Sequence, residues 1–517
     1  MVREVSGLMP TAVLLIWPLV AMGLFAAIGP VRGLIWATGI GYLFLPEFIA
    51  FPLPGFPPYD KRVAITFGLL LGIMGAAGQD KSRPVIEDKT FRITITVLLV
   101  LLFAGNLGTI LVNDYPLMRS GRFQPALVPR DVARLSTEIL VTLTPFLLAR
   151  RWLSDPKFHT ELLKALVILG VIYSFLVLFE ARMSPQLNRW VYDFFPHSWR
   201  QHIRGGGYRP IVFLSHGLSV GFFLFTSAIA AMALSRQPDG KARMIFLMIG
   251  IWLLLALIVS RNFGATLMAF MFIPVIVMLG RKWQIRMAVG IALFFMVYPI
   301  ARTNLPTDSL VATVSSYSAE RAESLEFRLK HEDELVARAL EKPLFGWGGW
   351  GRSRLVDDRG NDISVTDGGW IIQLGKFGWF GYLGDFGLAA LPIFFLRRRP
   401  EAPFATIGLA MITAGALFYT IPNSEMRPLV WLISGALAGF IQYGPRRSAQ
   451  DGSDIEAETS NAHRVRYSRF EPEGRKAAAT PYSRDLGAQG DLRRRLESEG
   501  REAAVKSYNR DLGTRGD

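Results

Sequence analysis

The sequence predicts an all-α polytopic membrane protein with about 12–13 transmembrane helices, one large external loop between the fourth-last and third-last spans, and a disordered cytoplasmic tail. Three observations carry that reading. Apolar runs of near-span length recur along 517 residues, of which 51% are hydrophobic, and the mean hydropathy is +0.29. Basic residues collect in alternate short connections between those runs. Beyond Gly444 the apolar periodicity stops.

The runs fall at 9–28, 31–50, 62–78, 91–112, 131–150, 161–180, 210–234, 243–260, 263–280, 285–301, 368–396, 402–421 and 427–443. In lipid every backbone polar group needs a partner within its own segment, so runs of this length are helices. The first resembles a signal peptide in apolarity, but it has no small-residue cleavage site and further spans follow; it is taken as a span. Arg150-Arg151, Arg236/Lys241/Arg243, Arg281-Lys282/Arg286 and Arg397-Arg398-Arg399 share one side when the spans are counted. The positive-inside rule makes that side and the C-terminus cytoplasmic. Residues 1–444 then form a membrane domain with external loops at 181–209, 261–264 and 302–367, and 445–517 form a flexible tail. This placement accounts for the net charge of +15 without nucleic acid as a partner. With no Cys there is neither a disulfide nor a thiolate metal site.

In the first long external segment, "ARMSPQLNRWVYDFFPHSWRQHIRGGGYR" (181–209), aromatics and Arg suit an interfacial helix followed by three glycines. In the second, "SAERAESLEFRLKHEDELVARAL" has helical spacing: Leu325, Leu329 and Val336 face apolar surface, and Arg321, Arg328 and Glu332 share a stripe. Pro343 and the glycines of "PLFGWGGWG" end that helix and open an irregular loop. In the tail, "GRKAAATPYSRDLGAQGD" from Gly474 is echoed by "GREAAVKSYNRDLGTRGD" from Gly500. The duplicated module is either a docking motif for assembly proteins or the product of repeat slippage.

Ionisable groups at span ends are costly and so are functional candidates. Arg209 opens "RPIVFLSHGLSVGFF", and in a helix His216 would fall on its face nearly two turns on. With Gly205–Gly207 before it, this pair suits a phosphate group, which the planar guanidinium fork binds bidentately. The plainer alternative makes Arg209 an interfacial anchor and His216 a satisfied core residue. Arg261, in "VSRNFGATL", sits in a connection short enough to hold it at the same surface. Gly375, Gly378, Gly381, Gly384 and Gly387 recur every three residues and suit close helix packing; Lys376 and Asp385 fall on opposite sides of that helix. No Walker loop, HExxH or Gly-x-Ser-x-Gly occurs.

An Arg-Pro-opened span, "SRNFG", a long external loop with "PLFGWGGWG" and a polar span start follow one another here. In that order and spacing the chain resembles the O-antigen ligase and polysaccharide polymerase superfamily, to about residue 440 and most strongly at 205–217, 260–266 and 321–387. The resemblance implies a GT-C-like inner-membrane glycosyltransferase with no metal or other cofactor. Its members take a glycan from undecaprenyl diphosphate at the periplasmic face and pass it to an acceptor: another lipid-linked repeat unit in polymerases, lipid A-core in ligases. It also implies that Asp367 and His216 are catalytic and that Arg204, Arg209, Arg261 and Arg328 hold the diphosphate. Trp347, Trp350 and Arg352 then contact glycan, and the 341–370 loop is a flexible lid. Many ligases of the family have a His where "SVTDGGW" has Asp367. An aspartate is the weaker base, with a reference pKa of about 3.9; the departure favours a polymerase-like branch.

Two readings from other classes stay open. A lipid-linked glycan transporter would use the same arginines without chemistry, and would show charges at the midplane and repeated broken helices. A structural assembly partner acting through the tail would leave the external arginines without a task.

Overall fold

The computed structural model describes residues 7–444 apart from 54, 77–86, 120–121, 197, 205, 303–306, 317–318, 350, 360, 365–367, 424–425 and 427. The tail, with its duplicated module, lies outside the described residues. The helices are α1 (Leu8–Phe44), α2 (Lys61–Ala76), α3 (Lys89–Leu111), α4 (Arg130–Trp152), α5 (Pro156–Met183) and the short α6 (Leu187–Tyr192). They continue with α7 (Gly217–Leu234), α8 (Gly240–Val259), α9 (Phe263–Met278), α10 (Arg281–Arg302), α11 (Thr307–Ser315) and α12 (Ala319–Leu340). The chain closes on α13 (Gly369–Leu396), α14 (Phe404–Tyr419) and α15 (Pro428–Tyr443). Strands occur only as two small antiparallel hairpins among the described residues, one joining Leu117–Arg119 to Arg122–Gln124 and one joining Ile203–Arg204 to Gly207–Tyr208.

Among the described residues eight helices are long and apolar enough to cross a membrane, and α9, α14 and α15 are shorter apolar helices. The protein is an all-α, multi-pass membrane protein. Each of the thirteen apolar runs coincides with a helix, and α1 takes two of them because it doubles back at Gly29, whose φ is 79°. A Cβ on Gly33 would lie 2.8 Å from Phe25 Cα, and one on Gly41 would lie 2.8–2.9 Å from Ile65 and Trp17, so the two limbs run side by side. Glycine supplies this reversal because positive φ costs it no steric clash. Nearly every residue of α7, α14 and α15 is buried, which makes them the centre of the bundle. By contrast α8 and α9 expose Met244, Ile251, Leu255, Phe263, Leu267 and Phe270, an apolar surface suited to lipid contact.

The basic connections gather at one end of α14. Arg236 and Arg281 each lie 4.8 Å from the Phe404 ring centre at its start. Nearby, Arg399 donates to the Ile441 carbonyl at 2.9 Å and Arg150 to Gln442 Oε1 at 2.6 Å. Beyond the other end, the Gly369 N–H donates to the Thr420 and Asn423 carbonyls. The 16 residues of α14 separate the two by about 24 Å.

The helix expected in the second external segment is α12. It buries Leu335, Val336 and Ala339, and its Glu332 joins Arg302 at 3.1 Å. Burial lifts the Glu332 carboxyl above its ordinary value, and the Arg302 guanidinium opposes the shift. The interfacial helix expected in 181–209 is cut down to the six residues of α6, a 3₁₀ turn (Trp199–His202) and the hairpin at 203–208. A helix could not continue here, because Asp193 and Gly206 both take positive φ.

The loop after α12 is sewn into the fold rather than hung over it. α13 breaks at Gly378, with φ 62° and ψ −161°. Trp347 and Gly348 donate to the Gly375 and Lys376 carbonyls at 2.9 and 2.8 Å; Trp379 and Phe380 donate to the Pro343 and Leu344 carbonyls at 2.8 and 3.2 Å. These four bonds replace helical partners that the break removes. On the far limb Gly381, Gly384 and Gly387 pack on Gly105, Leu102 and Leu98 of α3, the close approach that the three-residue spacing predicts. A Cβ at Gly378 would meet the Pro343 carbonyl oxygen at 2.5 Å, at a φ that L-residues rarely adopt. Gly378→Ala is therefore expected to destabilise the protein by at least about 1–3 kcal/mol from backbone strain alone. A thermal melt in detergent checks this: an unchanged midpoint would mean that the loop does not seat in the break.

Candidate functional site

A cavity of about 1670 Å³ opens among α1, α2, α3, α4, α7, α9, α12, α13 and α15, and Arg261 of the connection before α9 reaches it. Arg209, His216, Arg261 and Arg328, four of the residues read from sequence, line it. They come together by a route other than helical spacing. Residues 209–216 form an irregular turn, and α7 starts only at Gly217, with His216 as its N-cap. Proline at 210 and a buried carboxylate account for this. Glu180 Oε2 accepts the Ile211 and Val212 N–H groups at 2.9 and 2.7 Å, and Oε1 accepts that of Leu187 at 2.9 Å. Val212, with φ 55°, takes the left-handed conformation.

Arg209 is held from behind. Its Nη2 and Nε donate to Asn262 Oδ1 at 2.6 and 3.2 Å, and Asn262 Nδ2 donates to the Gly217 carbonyl at 2.9 Å. Both side chains are buried, and a Cβ on Gly217 would sit 2.8 Å from the Arg209 Cγ and Cδ atoms. Arg261, between Ser260 and Asn262, takes φ 57°, which turns it outward while Asn262 turns in. Gly207 packs directly on the Arg261 guanidinium, so the third glycine of the run allows a close approach. His216 Nδ1 accepts the Leu218 N–H at 3.0 Å, which places the hydrogen of a neutral ring on Nε2 and makes it a donor there. Tyr419, at the end of α14 away from the basic connections, donates to the Leu218 carbonyl at 2.8 Å and stacks on Phe222.

Among the described residues seven cationic side chains line the cavity: Lys61, Arg62, Arg209, Arg261, Arg328, Arg354 and Lys376. Four acidic ones accompany them: Glu47, Asp60, Glu138 and Asp385. Some of these charges are matched locally. Lys61 pairs with Glu47 at 3.1 Å, nearly buried, and Arg62 with Asp60 at 3.1 Å. The excess of cations gives the cavity a positive balance, which would suit an anionic ligand.

Trp347 and Arg352 do not join the others. The Trp347 indole donates to the Arg338 carbonyl at 2.8 Å and lies under the Arg338 and Lys342 side chains, which leaves no face for a sugar. Arg352 is fully buried and donates to the carbonyls of Trp347, Pro125 and Tyr115 at 3.2, 2.8 and 3.1 Å. Both hold the loop together. Arg204 is paired through its backbone with Gly207 in the hairpin. Trp350 and Asp367 lie outside the described residues, as do Val365 and Thr366.

Asn262 and Glu180 were not singled out from sequence. Asn262 carried a usable signal, since the polar triad Ser260-Arg261-Asn262 interrupts two apolar runs. Lys61 and Glu47 flank a short connection and carried none. No protein-family model matches the chain, and no curated protein matches it either.

Proposed function

We propose that the protein is a membrane glycosyltransferase that moves a glycan from a polyprenyl diphosphate, undecaprenyl diphosphate in a bacterial inner membrane, to an acceptor hydroxyl. Polymerisation of lipid-linked repeat units is the preferred reaction; ligation to lipid A-core is the alternative. The observation that carries the reading is the meeting of Arg209, Arg261, Arg328 and His216 in one large cavity. Its 1670 Å³ exceeds the roughly 300–1,000 Å³ of an ordinary small-molecule pocket and suits an oligosaccharide with a lipid diphosphate. The basic connections lie toward the opposite end of α14, which under the positive-inside rule supports a cavity open to the periplasm.

In this mechanism the bond from the anomeric carbon to the diphosphate oxygen breaks, and the diphosphate leaves with both bonding electrons. The acceptor oxygen bonds to that carbon, and its proton passes to a base. The arginines and the His216 Nε2–H stabilise charge developing on the leaving group, where fixed donors act most strongly. Asp367, just before the Gly368 N-cap of α13, is assigned the base.

The test is reconstitution of purified protein with the host's undecaprenyl-diphosphate repeat unit, without nucleotide. A glycan ladder formed by wild type and lost in Asp367→Asn is the expected result. Transfer only when lipid A-core is added moves the assignment to ligase. No consumption of donor with either acceptor, while Asp367→Asn still supports export in cells, replaces catalysis with transport.

A further inference from the structure

The cavity wall carries polar groups that neither the diphosphate clamp nor the fold employs. Asn106, on α3, is 3% exposed, and neither its Oδ1 nor its Nδ2 has a hydrogen-bond partner among the described residues. Asp385, on the far limb of α13, likewise makes no hydrogen bond or ion pair among the described residues. The Trp431 indole N–H, at 1% exposure on α15, is a third group without a partner among them. All three residues line the cavity.

Helix packing brings the first two to one seam. Gly105 packs on Phe380 and Gly381, and Leu102 packs against Gly384. Asn106 follows Gly105, and Asp385 follows Gly384 one helical turn beyond Gly381, so both flank the α3–α13 contact. Burying polar groups without partners is costly, and proteins satisfy nearly all of them. A cluster left unsatisfied on a cavity wall is matched to something that enters.

We infer that the seam of Asn106 and Asp385, with Trp431 on the wall of the same cavity, is a subsite for the hydroxyl groups of an uncharged or amino sugar, and that it rejects acidic sugars. An amide, a carboxylate and an indole N–H together offer donors and acceptors to a ring whose every hydroxyl is both. The charge rule follows from the lack of a cation among these three groups: a neutral ring meets donors and acceptors, a cationic ring meets a carboxyl group, and a uronate would enter unpaired. The cavity thereby has two ends, with guanidiniums for the phosphates at the α7–α9 side and uncharged donors and acceptors with a carboxyl group for the sugar at the α3–α13 seam. This inference rests on the glycosyltransferase reading and narrows its substrate class.

The experiment measures binding of three synthetic probes to the full chain in detergent: geranyl diphosphate, geranyl-diphospho-glucose and geranyl-diphospho-glucuronic acid. Wild type is expected to bind the glucosyl probe about tenfold more tightly than the glucuronosyl one, the scale of one charge-assisted contact. Asp385→Lys, which supplies the missing cation, should erase that preference. Asn106→Leu should weaken the glucosyl probe about tenfold and leave bare geranyl diphosphate unchanged. It should also raise the melting temperature, because it removes a buried group that folding leaves unsatisfied; a merely structural asparagine would lower it. Equal binding of the two glycosides by wild type, or a preference untouched by Asp385→Lys, overturns the subsite while the clamp stands. Failure of bare geranyl diphosphate to bind overturns the clamp, and the subsite with it.

Discussion

Arg209→Ala is expected to lower glycan transfer by about 10²–10³-fold, the usual cost of one fixed donor that faces charge developing in a transition state. The size follows from how the residue is held. Its guanidinium spends Nε and Nη2 on Asn262 Oδ1, so its direction is set before any ligand arrives. A donor that needs no reorganisation acts fully at the moment of bond cleavage. Arg209→Lys separates charge from direction: it keeps the positive charge but cannot reproduce the planar fork. It should therefore retain less than about a tenth of the rate. Asn262→Leu makes the complementary test, because it leaves the arginine in place and removes what aims it. Initial rates of donor consumption, with melting temperatures recorded alongside, decide the matter. Wild-type turnover in Arg209→Ala would remove this residue from the chemistry. A rate loss that tracked the fall in melting temperature across all three variants would make its role structural.

The parts of the molecule legible in the sequence are those governed by local rules. Apolar runs of span length became helices because lipid leaves the backbone no other partner. The break between the runs 9–28 and 31–50 marked a reversal, since Gly29-Pro30 interrupts helical φ at one point. The amphipathic spacing of 319–340 gave α12, because its Pro343-bounded end and apolar stripe both follow from 3.6-residue periodicity.

What was not legible depends on contacts distant in sequence. The seven-residue spacing of Arg209 and His216 assumed a helix that Glu180, about thirty residues upstream, prevents by taking the Ile211 and Val212 N–H groups. Lys376 and Asp385 were placed on opposite faces by counting 100° per residue. The break at Gly378 cancels that count, and both line the cavity. Trp347 and Arg352 looked like ligand-binding residues in a glycine-rich loop. Their partners come from α12 and from 113–125, and composition cannot report those contacts.

Glu180→Ala should cost the membrane domain a large part of its stability. The carboxylate is 1% exposed and accepts three backbone N–H groups, from Leu187, Ile211 and Val212. Removing it strands all three where water does not reach them, and each stranded donor costs about 1–3 kcal/mol. The combined cost of roughly 3–9 kcal/mol approaches the 5–15 kcal/mol that holds a typical protein folded. Val212 adds to it, because its positive φ is tolerated only while neighbouring bonds enforce it. Glu180→Gln should lose less: its amide oxygen still accepts from two donors, but the NH₂ group then faces a third donor. The expected order of melting temperatures in detergent is wild type, then Gln, then Ala. The same loop sets where Arg209 and His216 enter the cavity, so the Gln variant, assayed below its melting point, should show a lower turnover number as well as a lower midpoint. An Ala variant that melts with wild type would mean that the turn before α7 is ordered by Pro210 and Asn262 alone, and that the carboxylate is dispensable to the fold.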